Sequence, residues 1–262
     1  MTGVAAARID PDDELLAAAL VREAGTLARR MRAAGVEVGR KTSVSDVVTE
    51  ADHAAEALVV DRLRRERPDD GLVGEEGAAH RGSSGREWFV DPVDGTWNFV
   101  HGVPWWCSAV ALRDADDLML GAVHDPHAQT TYLGGPGLAS TRDGVPLAPL
   151  VDRPLAETGV VTYLHPPLYA GPIGEAFGRA VAGAATLRML GSMSMDCVAI
   201  AEGRFGALLA HSVKPWDEFP GAAIIRGVGG VTRHLTAAGV DWYAAGAPTA
   251  VDELCASLVA QA

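Results

Sequence analysis

The residues with the greatest chemical potential lie in one short stretch, residues 88–96 (WFVDPVDGT). An apolar, strand-like run here ends in Asp91, Asp94, Gly95 and Thr96. Two carboxylates at the end of an interior strand need cations or hydrogen-bond donors nearby, because unpaired buried charge is costly. The backbone N–H groups of a Gly-Thr turn suit an anion such as phosphate. The stretch therefore predicts a metal site next to a phosphate site.

Three further acidic positions could converge on this pair: Asp52, Glu75 with Glu76 beside it, and Asp217. Each lies at a boundary between predicted elements, which is where open α/β folds place ligands. Carboxylate oxygens are hard ligands that suit Mg²⁺ or Mn²⁺. Each acid also has a purely structural interpretation. Asp52 could complete a capping box with Thr49, Asp217 could complement a helix dipole, and the glutamates could form a solvated turn.

The composition favours a folded protein with a small ligand. The chain has 262 residues, of which 48% are hydrophobic and 21% charged, and no run of about 18 apolar residues. No secretory signal is visible at the start, so we expect a cytoplasmic location. Cys107, Cys197 and Cys255 are widely spaced, which indicates reduced cysteines rather than a disulfide or zinc framework. The net charge of −12 disfavours nucleic acid and anionic membranes as partners, and an anionic ligand would need metal cations.

Hydrophobic periodicity predicts short elements along the whole chain. In the first half, helices are predicted at residues 10–35 and 49–66, and strands at residues 71–73, 88–90, 107–112, 118–123 and 130–133. Short connections favour antiparallel pairing of several of these strands. Two Gly/Pro-rich breaks, residues 80–86 and 134–149, are predicted as surface loops, the second of them at a lobe boundary. In the second half, strands are predicted at 159–163, 186–189 and 205–209, and helices at 173–184, 192–201 and 219–227. Their alternation favours a layered α/β half.

Four motifs match a known family in order and spacing. They are residues 46–52 (DVVTEAD), 74–76 (GEE), 88–99 (WFVDPVDGTWNF) and 216–217 (WD), the last followed by a glycine pair at 229–230. Over nearly its whole length the chain resembles the inositol monophosphatase family of magnesium-dependent, lithium-sensitive phosphomonoesterases. The resemblance implies a layered αβαβα sandwich of α+β or α/β type and a homodimer. It also implies one unit, with an N-terminal metal-binding lobe at about residues 1–145 and a C-terminal α/β lobe at about residues 146–262.

The resemblance further implies a set of metal ligands. The first ion would be held by Glu75, Asp91 and the backbone carbonyl of Val93. The second would lie between Asp91, Asp94 and Asp217, with Asp91 bridging the two ions. A third, weaker ion would share Glu75 and water molecules. The cofactor is therefore expected to be two or three Mg²⁺ ions, with Mn²⁺ as a substitute.

The catalytic set implied by the resemblance is Asp52, Glu75, Asp91 and Thr96. Thr96, paired with Asp52, would orient and deprotonate the attacking water. The backbone N–H groups of Gly95 and Thr96 would bind the phosphate, with Lys41 nearby. The expected route is direct in-line attack by water, without a phosphoenzyme.

The expected substrate side consists of Asp94, Gly95, Thr96 and a loop, residues 191–193 (Gly191, Ser192 and Met193). The chain departs from the family pattern here. Ala210 stands where the inositol-phosphate enzymes carry a glutamate that binds sugar hydroxyls, and Met193 is bulkier than the usual residue. A pocket with these two changes should recognise a polyol less well, because hydroxyl recognition depends on paired polar groups.

Three neighbouring side chains have open roles. His211 and Lys214 could replace the lost contact and would then favour a substrate with an extra negative group, or they could simply face solvent. Asp196 could face the substrate or stabilise the helix that starts near Ser192.

The sequence thus predicts a Mg²⁺-dependent phosphomonoesterase for a small phosphorylated polyol or cyclitol. Histidinol phosphate, fructose bisphosphate and nucleotide 3′-phosphates are the alternative substrates. The competing hypothesis of another class is a catalytically silent scaffold that binds metal or anions. Clustered carboxylates argue against the scaffold, because they are costly to keep without a use.

Overall fold

The computed structural model describes residues 10–35, 38–40, 47–114 and 117–260. The helices in these ranges are α1 Pro11–Ala34, α2 Glu50–Glu66, α3 Thr96–His101, α4 Pro172–Val181, α5 Met193–Ala201, α6 Pro215–Gly227 and α7 Pro248–Val259. The strands are β1 Val38–Arg40, β2 Val47–Thr49, β3 Gly71–Gly74, β4 Ala79–His80, β5 Glu87–Asp94, β6 Cys107–Asp114, β7 Asp117–Asp125, β8 Thr130–Gly135, β9 Leu138–Arg142, β10 Val145–Pro146, β11 Gly159–Thr162, β12 Thr186–Arg188, β13 Ala207–His211, β14 Val231–Ala237 and β15 Val240–Gly246.

The first large sheet has eight strands in the order β10-β9-β8-β7-β6-β5-β3-β4. Strands β5 to β8 pair antiparallel with their neighbours, as their short connections predict, while β3 pairs parallel with β5. Strand β5 is therefore an interior strand. Its core residues Trp88 and Val90 pack in one cluster with side chains of α1 and α2.

The second large sheet has five strands in the order β12-β11-β13-β15-β14. Strand β11 pairs parallel with both β12 and β13, and α4 and α5 form the crossovers, as the alternation in this half predicts. The β14–β15 hairpin and α7 were not predicted from the sequence. The hairpin completes one edge of the sheet, and α7 packs together with α4 against one of its faces.

Helices α5 and α6 lie between the two sheets. Met195 of α5 and Ile224 of α6 contact the first sheet, whereas Ile200 and Ile225 contact the second. With α1 and α2 outside the first sheet and α4 and α7 outside the second, the layers follow the order αβαβα, as expected. No helix of the described ranges is both long and apolar enough to traverse a bilayer.

The prediction of a surface loop over residues 134–149 is wrong. Gly134 and Gly135 end β8, and β9 and β10 form a hairpin against it. The glycines allow a close approach of chain segments, because a Cβ atom at Gly134 would collide with Ser140. The turn-forming composition therefore reflected tight strand packing rather than a loop. The break at residues 80–86 is a loop apart from His80, which ends β4.

Helix ends follow local signals. Asp10 caps α1 by accepting the Asp12 N–H at 2.9 Å, and the helix stops at Gly35 with a φ of 93°. Thr49 caps α2 as predicted. Helix α6 begins at Pro215, four residues before its predicted start, because proline at the first helical position loses no intrahelical hydrogen bond.

Candidate active site

The end of β5 has an irregular geometry that sets its two aspartates. Asp91 pairs with Ala109 and Asp94 with Cys107, so three steps on β5 face two on β6 and the strand bulges between them. Both aspartates are buried, with exposed fractions of 1% and 6%. The Val93 N–H donates to Asp91 Oδ1 at 3.1 Å and stabilises the bulge.

Gly95 is the turn between this strand and α3. Its φ is 96°, and a Cβ atom here would lie 3.0 Å from the carbonyl oxygen of Gly191. Both the backbone conformation and the lack of space thus require glycine. Thr96 then begins α3, a short helix that the sequence analysis missed.

Four acidic side chains from three parts of the chain converge at this strand end: Glu75 after β3, Asp91 and Asp94 on β5, and Asp217 in α6. Burial raises the pKa of Asp91 well above its usual range, and the charges of Glu75, Asp94 and Asp217 raise it further. Burial and the charges of Asp94 and Glu75 raise the pKa of Asp217 to about 8. The convergence that the sequence predicts for these four acids is therefore present in the fold.

The donor set suits a hard divalent cation. Within the described ranges, no three His, Cys, Asp or Glu side chains already form a closed metal cage. These carboxylates nevertheless repel one another, as the raised pKa values of Asp91 and Asp217 show. A cation among them would offset that repulsion, and oxygen-only ligands favour Mg²⁺ or Mn²⁺ over softer metals. We conclude that these residues fit the expected ions.

Asp94 joins the first sheet to the start of α5. Its Oδ1 accepts the Met193 N–H at 3.1 Å and its Oδ2 accepts the Ser194 N–H at 2.5 Å. Burial raises the pKa of Asp94, and the hydrogen bond from Ser194 opposes the rise. Since a helix N-terminus attracts negative charge, α5 holds this carboxylate in place.

Asp52 accepts hydrogen bonds both from the start of α2 and from Thr96. Its Oδ2 accepts the Thr49 N–H at 2.9 Å, which completes the capping box of α2. Its Oδ1 lies 3.2 Å from Thr96 Oγ1, which can also donate to the Val93 carbonyl at 3.0 Å. One hydroxyl proton cannot serve both acceptors at once. Burial raises the pKa of Asp52, and the bonds from Thr49 partly counter this.

Asp217 likewise lies at the start of a helix and beside the other acidic side chains of the site. Its Oδ2 accepts the backbone N–H of Lys214 at 3.4 Å, at the beginning of α6. Its side chain also faces Asp94 and Glu75 closely enough for their charges to raise its pKa. Lys41 lies outside the described residues.

A buried glutamate that the sequence analysis missed holds the loop of Glu75. Glu56 on α2 accepts the N–H of Glu76 at 2.8 Å and that of Ala78 at 3.0 Å. Gly74 leaves room for this carboxylate, because a Cβ atom there would collide with it. The only sequence signal was an acid on the inward face of α2, four residues after Asp52.

The substrate-side loop is also fixed by hydrogen bonds. Asn98, another missed residue, donates from Nδ2 to the carbonyl oxygens of Trp105 at 2.7 Å and Leu190 at 2.6 Å. The Ser192 side chain is buried and accepts the Met195 N–H at 3.4 Å, so it caps α5. Gly191 is exposed and Met193 half-buried.

The three side chains with open roles differ in placement. Asp196 is buried and accepts a hydrogen bond from Trp105 Nε1 at 3.0 Å, and burial raises its pKa well above the usual range. His211 packs against Trp242, with ring centroids 5.5 Å apart, and burial lowers its pKa. Lys214 is exposed. The Asp196 carboxylate, in the first turn of α5, is thus bound by another side chain of the protein, Trp105.

Comparisons with known proteins show what this chain is similar to. The sequence model of the inositol monophosphatase family matches residues 12–261. A fructose-1,6-bisphosphatase/inositol-1-monophosphatase of Thermotoga maritima is 30% identical over 199 residues, which cover 76% of this chain and 75% of that protein. An inositol-1-monophosphatase of Rhizobium meliloti is 34% identical over 194 residues, 71% of each chain. The Nus factor SuhB of Salmonella typhimurium is 29% identical over 204 residues, 77% of this chain and 76% of that protein.

The fold has a counterpart among solved structures. The Thermotoga maritima IMPase superposes with a TM-score of 0.81 at 27% identity, covering 95% of this chain and 97% of that chain. The match therefore includes both sheets and the helices between them.

Proposed function

This chain belongs to the inositol monophosphatase family, and on that premise we propose that it is a Mg²⁺-dependent phosphatase of a small phosphorylated polyol or cyclitol. Family membership makes it a phosphomonoesterase, which disfavours the silent scaffold. The observation that carries the metal-dependent proposal is the burial of Asp91 among Glu75, Asp94 and Asp217. Histidinol phosphate, fructose bisphosphate and nucleotide 3′-phosphates are the alternative substrates.

The metal ions would be held by the carboxylates of the site. Glu75, Asp91 and the Val93 carbonyl would hold one ion, and Asp91, Asp94 and Asp217 a second, while a weaker third would share Glu75. When bound, the ions lower the pKa of water and offset the charge of the phosphate and the leaving alkoxide. The carboxylates supply negative charge at fixed positions. The bulge of β5 positions Asp91 and Asp94, and the start of α6 positions Asp217.

Thr96 and Asp52 would orient and deprotonate the attacking water. The Thr96 hydroxyl can donate to Asp52 Oδ1 and so turn its lone pairs toward the water. The water would give a proton to Thr96 Oγ1 as the Thr96 hydroxyl proton moves to Asp52 Oδ1, and burial raises the pKa of Asp52, which makes it a better base. The second bond of Asp52, to Thr49, keeps the carboxylate from rotating.

The phosphate would lie at the start of α3. The backbone N–H groups of Gly95 and Thr96 begin this helix, where N–H groups have no acceptor in a preceding turn. We propose that they bind phosphate oxygens, with Lys41 as a further cation. On the alcohol side, Asp94, Gly191, Ser192 and Met193 would form the wall.

A panel of phosphomonoesters with and without Mg²⁺ tests the proposal. We expect phosphate release that depends on Mg²⁺ or Mn²⁺. Asp91→Asn should lower turnover by ~100-fold or more, because loss of a direct ligand exceeds the 10- to 100-fold cost of changes around a metal site. Asp61→Asn, on the exposed face of α2, is the matched control and should behave like the wild type.

Two outcomes of that experiment would contradict the proposal. Unchanged turnover in Asp91→Asn would refute the metal assignment. No phosphate release from any ester by the metal-loaded wild type would refute the enzymatic function.

A further inference from the structure

An exposed aromatic residue, Tyr163, directly follows the end of β11, one of two parallel strands. Strands β11 and β13 pair in parallel, with Val161 opposite Leu208 and Thr162 opposite Leu209. Extending the register by one residue sets Tyr163 beside Ala210. Val161 and Ala210 share one buried cluster, and side chains two residues apart share a face. Strand β11 ends at Thr162, and if its alternation continues by one residue, Tyr163 lies on the α5 face of the sheet, next to Ala210.

This face adjoins the carboxylate site through one residue. Met193 packs in the same cluster as Ala210, and its backbone N–H donates to Asp94 Oδ1 at 3.1 Å. We therefore expect a group attached to a phosphate at the carboxylates to extend past Met193 in the direction of Tyr163.

The ring of Tyr163 is both oriented and accessible. It is 44% exposed, and His165 packs edge-on against it with ring centroids 4.7 Å apart and an interplanar angle of 80°. The Tyr163 hydroxyl lies 3.3 Å from His165 Nδ1. These contacts fix the direction of the ring without covering it, which is the arrangement of a stacking platform.

From these contacts we propose that the alcohol part of the substrate carries a planar heteroaromatic ring that stacks on Tyr163. The inference rests on the proposed phosphomonoesterase function and narrows its substrate class. Met193 and Ala210 offer no hydrogen-bonding side chain to replace the water that a polyol hydroxyl loses on binding. A flat ring loses little water and gains contact with Tyr163. A nucleobase and an imidazole both supply such a ring.

The test compares esters that differ in the ring. Phosphate release is measured with a nucleoside 3′-monophosphate, histidinol phosphate, inositol 1-phosphate and glycerol 2-phosphate, using the Mg²⁺-loaded full chain. We expect at least one ring-bearing ester to have the highest kcat/KM, and which one it is distinguishes nucleobase from imidazole. Tyr163→Ala should raise KM for that ester about tenfold with kcat nearly unchanged, and leave glycerol 2-phosphate unaffected.

Two further variants isolate the ring. Tyr163→Phe keeps the ring and should retain the preference. Tyr169→Ala removes another exposed tyrosine, which contacts Met189, and should match the wild type. Saturation-transfer NMR with adenosine or imidazole against ribose detects the platform without turnover, and its signal should vanish in Tyr163→Ala.

The outcomes separate this inference from the proposed function. Hydrolysis of inositol 1-phosphate in preference to both ring-bearing esters would overturn the inference and leave the phosphatase intact. Equal losses for all esters in Tyr163→Ala would also overturn it, since a general structural defect explains such losses. No hydrolysis of any ester would overturn the proposed function and the substrate class together.

Discussion

At the residue scale, the Thr96 hydroxyl is the most exacting feature of the site. It lies 3.0 Å from the Val93 carbonyl and 3.2 Å from Asp52 Oδ1, but it has one proton. If a metal ion engages the Val93 carbonyl, the hydroxyl proton is left for Asp52. Occupation of the metal site and orientation of the water would then be coupled through one side chain.

This coupling predicts the effect of Thr96→Ala. The variant should lower kcat by about 100-fold, in the range typical of general acid–base groups, because the water loses its orienting hydroxyl. Mg²⁺ affinity should stay within about twofold, since the Val93 carbonyl remains. Thr96→Ser keeps the hydroxyl and serves as the control. An equal loss of Mg²⁺ binding in Thr96→Ala, measured by calorimetric titration, would contradict the water-orienting role.

At the element scale, hydrogen bonds from neighbouring helices fix the segments that carry the site residues. Glu56 on α2 binds the backbone on both sides of Gly77 and so fixes the turn that follows Glu75. At the N-terminus of α5, the backbone N–H of Ser194 donates to Asp94 and fixes the orientation of its carboxylate. Asn98 joins α3 to the loop of Leu190. These bonds connect elements that share no local sequence pattern.

The loop contact predicts the result of Glu56→Gln. An amide has a single oxygen, so one of the two backbone N–H groups would face an NH₂ group, at a cost of about 1–3 kcal/mol. Because the loop of Glu75 loosens, Mg²⁺ affinity should also fall about tenfold.

Glu66→Gln, at the exposed end of α2, is the control and should change neither quantity appreciably. Thermal unfolding with increasing Mg²⁺ measures both effects. A loss of stability without any loss of Mg²⁺ affinity would show that Glu56 has no positioning role.

At the scale of the whole molecule, the carboxylate site links folding to pH and metal. Burial raises the pKa of Asp91 and Asp94, and that of Asp217 to about 8. A carboxyl group with a raised pKa binds a proton more tightly in the folded state than in the unfolded state. Its contribution to stability is complete below its unfolded pKa of about 3.8 and is lost as the pH rises through the folded pKa.

We therefore expect metal-free protein to lose stability between about pH 4 and pH 8. Mg²⁺ needs the ionised carboxylates, so the increase in Tm at a fixed Mg²⁺ concentration should grow over the same range. Melting curves in EDTA and in Mg²⁺ at several pH values measure both trends. In Asp91→Asn the pH dependence of stability should be shallower. A stability of the metal-free wild type that rises with pH would contradict the burial of these carboxylates together.

Homodimerisation, the two-lobe division and a cytoplasmic location stay predictions.

The sequence by itself determined the local features of this protein. The apolar run into residues 88–96 set an interior strand with two carboxylates at its end, and Thr49 with Asp52 set the start of α2. Such signals depend on neighbours within a few residues, so they can be recognised without the fold. Repeated Gly and Pro misled at residues 134–149, because tight strand packing and turns use the same residues.

Only the tertiary structure decided what surrounds those carboxylates. Asp94 binds Ser194, 100 residues later in the chain, and Asn98 binds the carbonyl of Leu190, 92 residues later. The expected position of Tyr163 beside Ala210 extends the register of two parallel strands by one residue. Register and long-range contacts result from the packing of layers against one another, which leaves no local pattern in the sequence. The strand end at Asp91 was therefore visible from its residue types, whereas the support of Glu75 and the face toward the substrate were not.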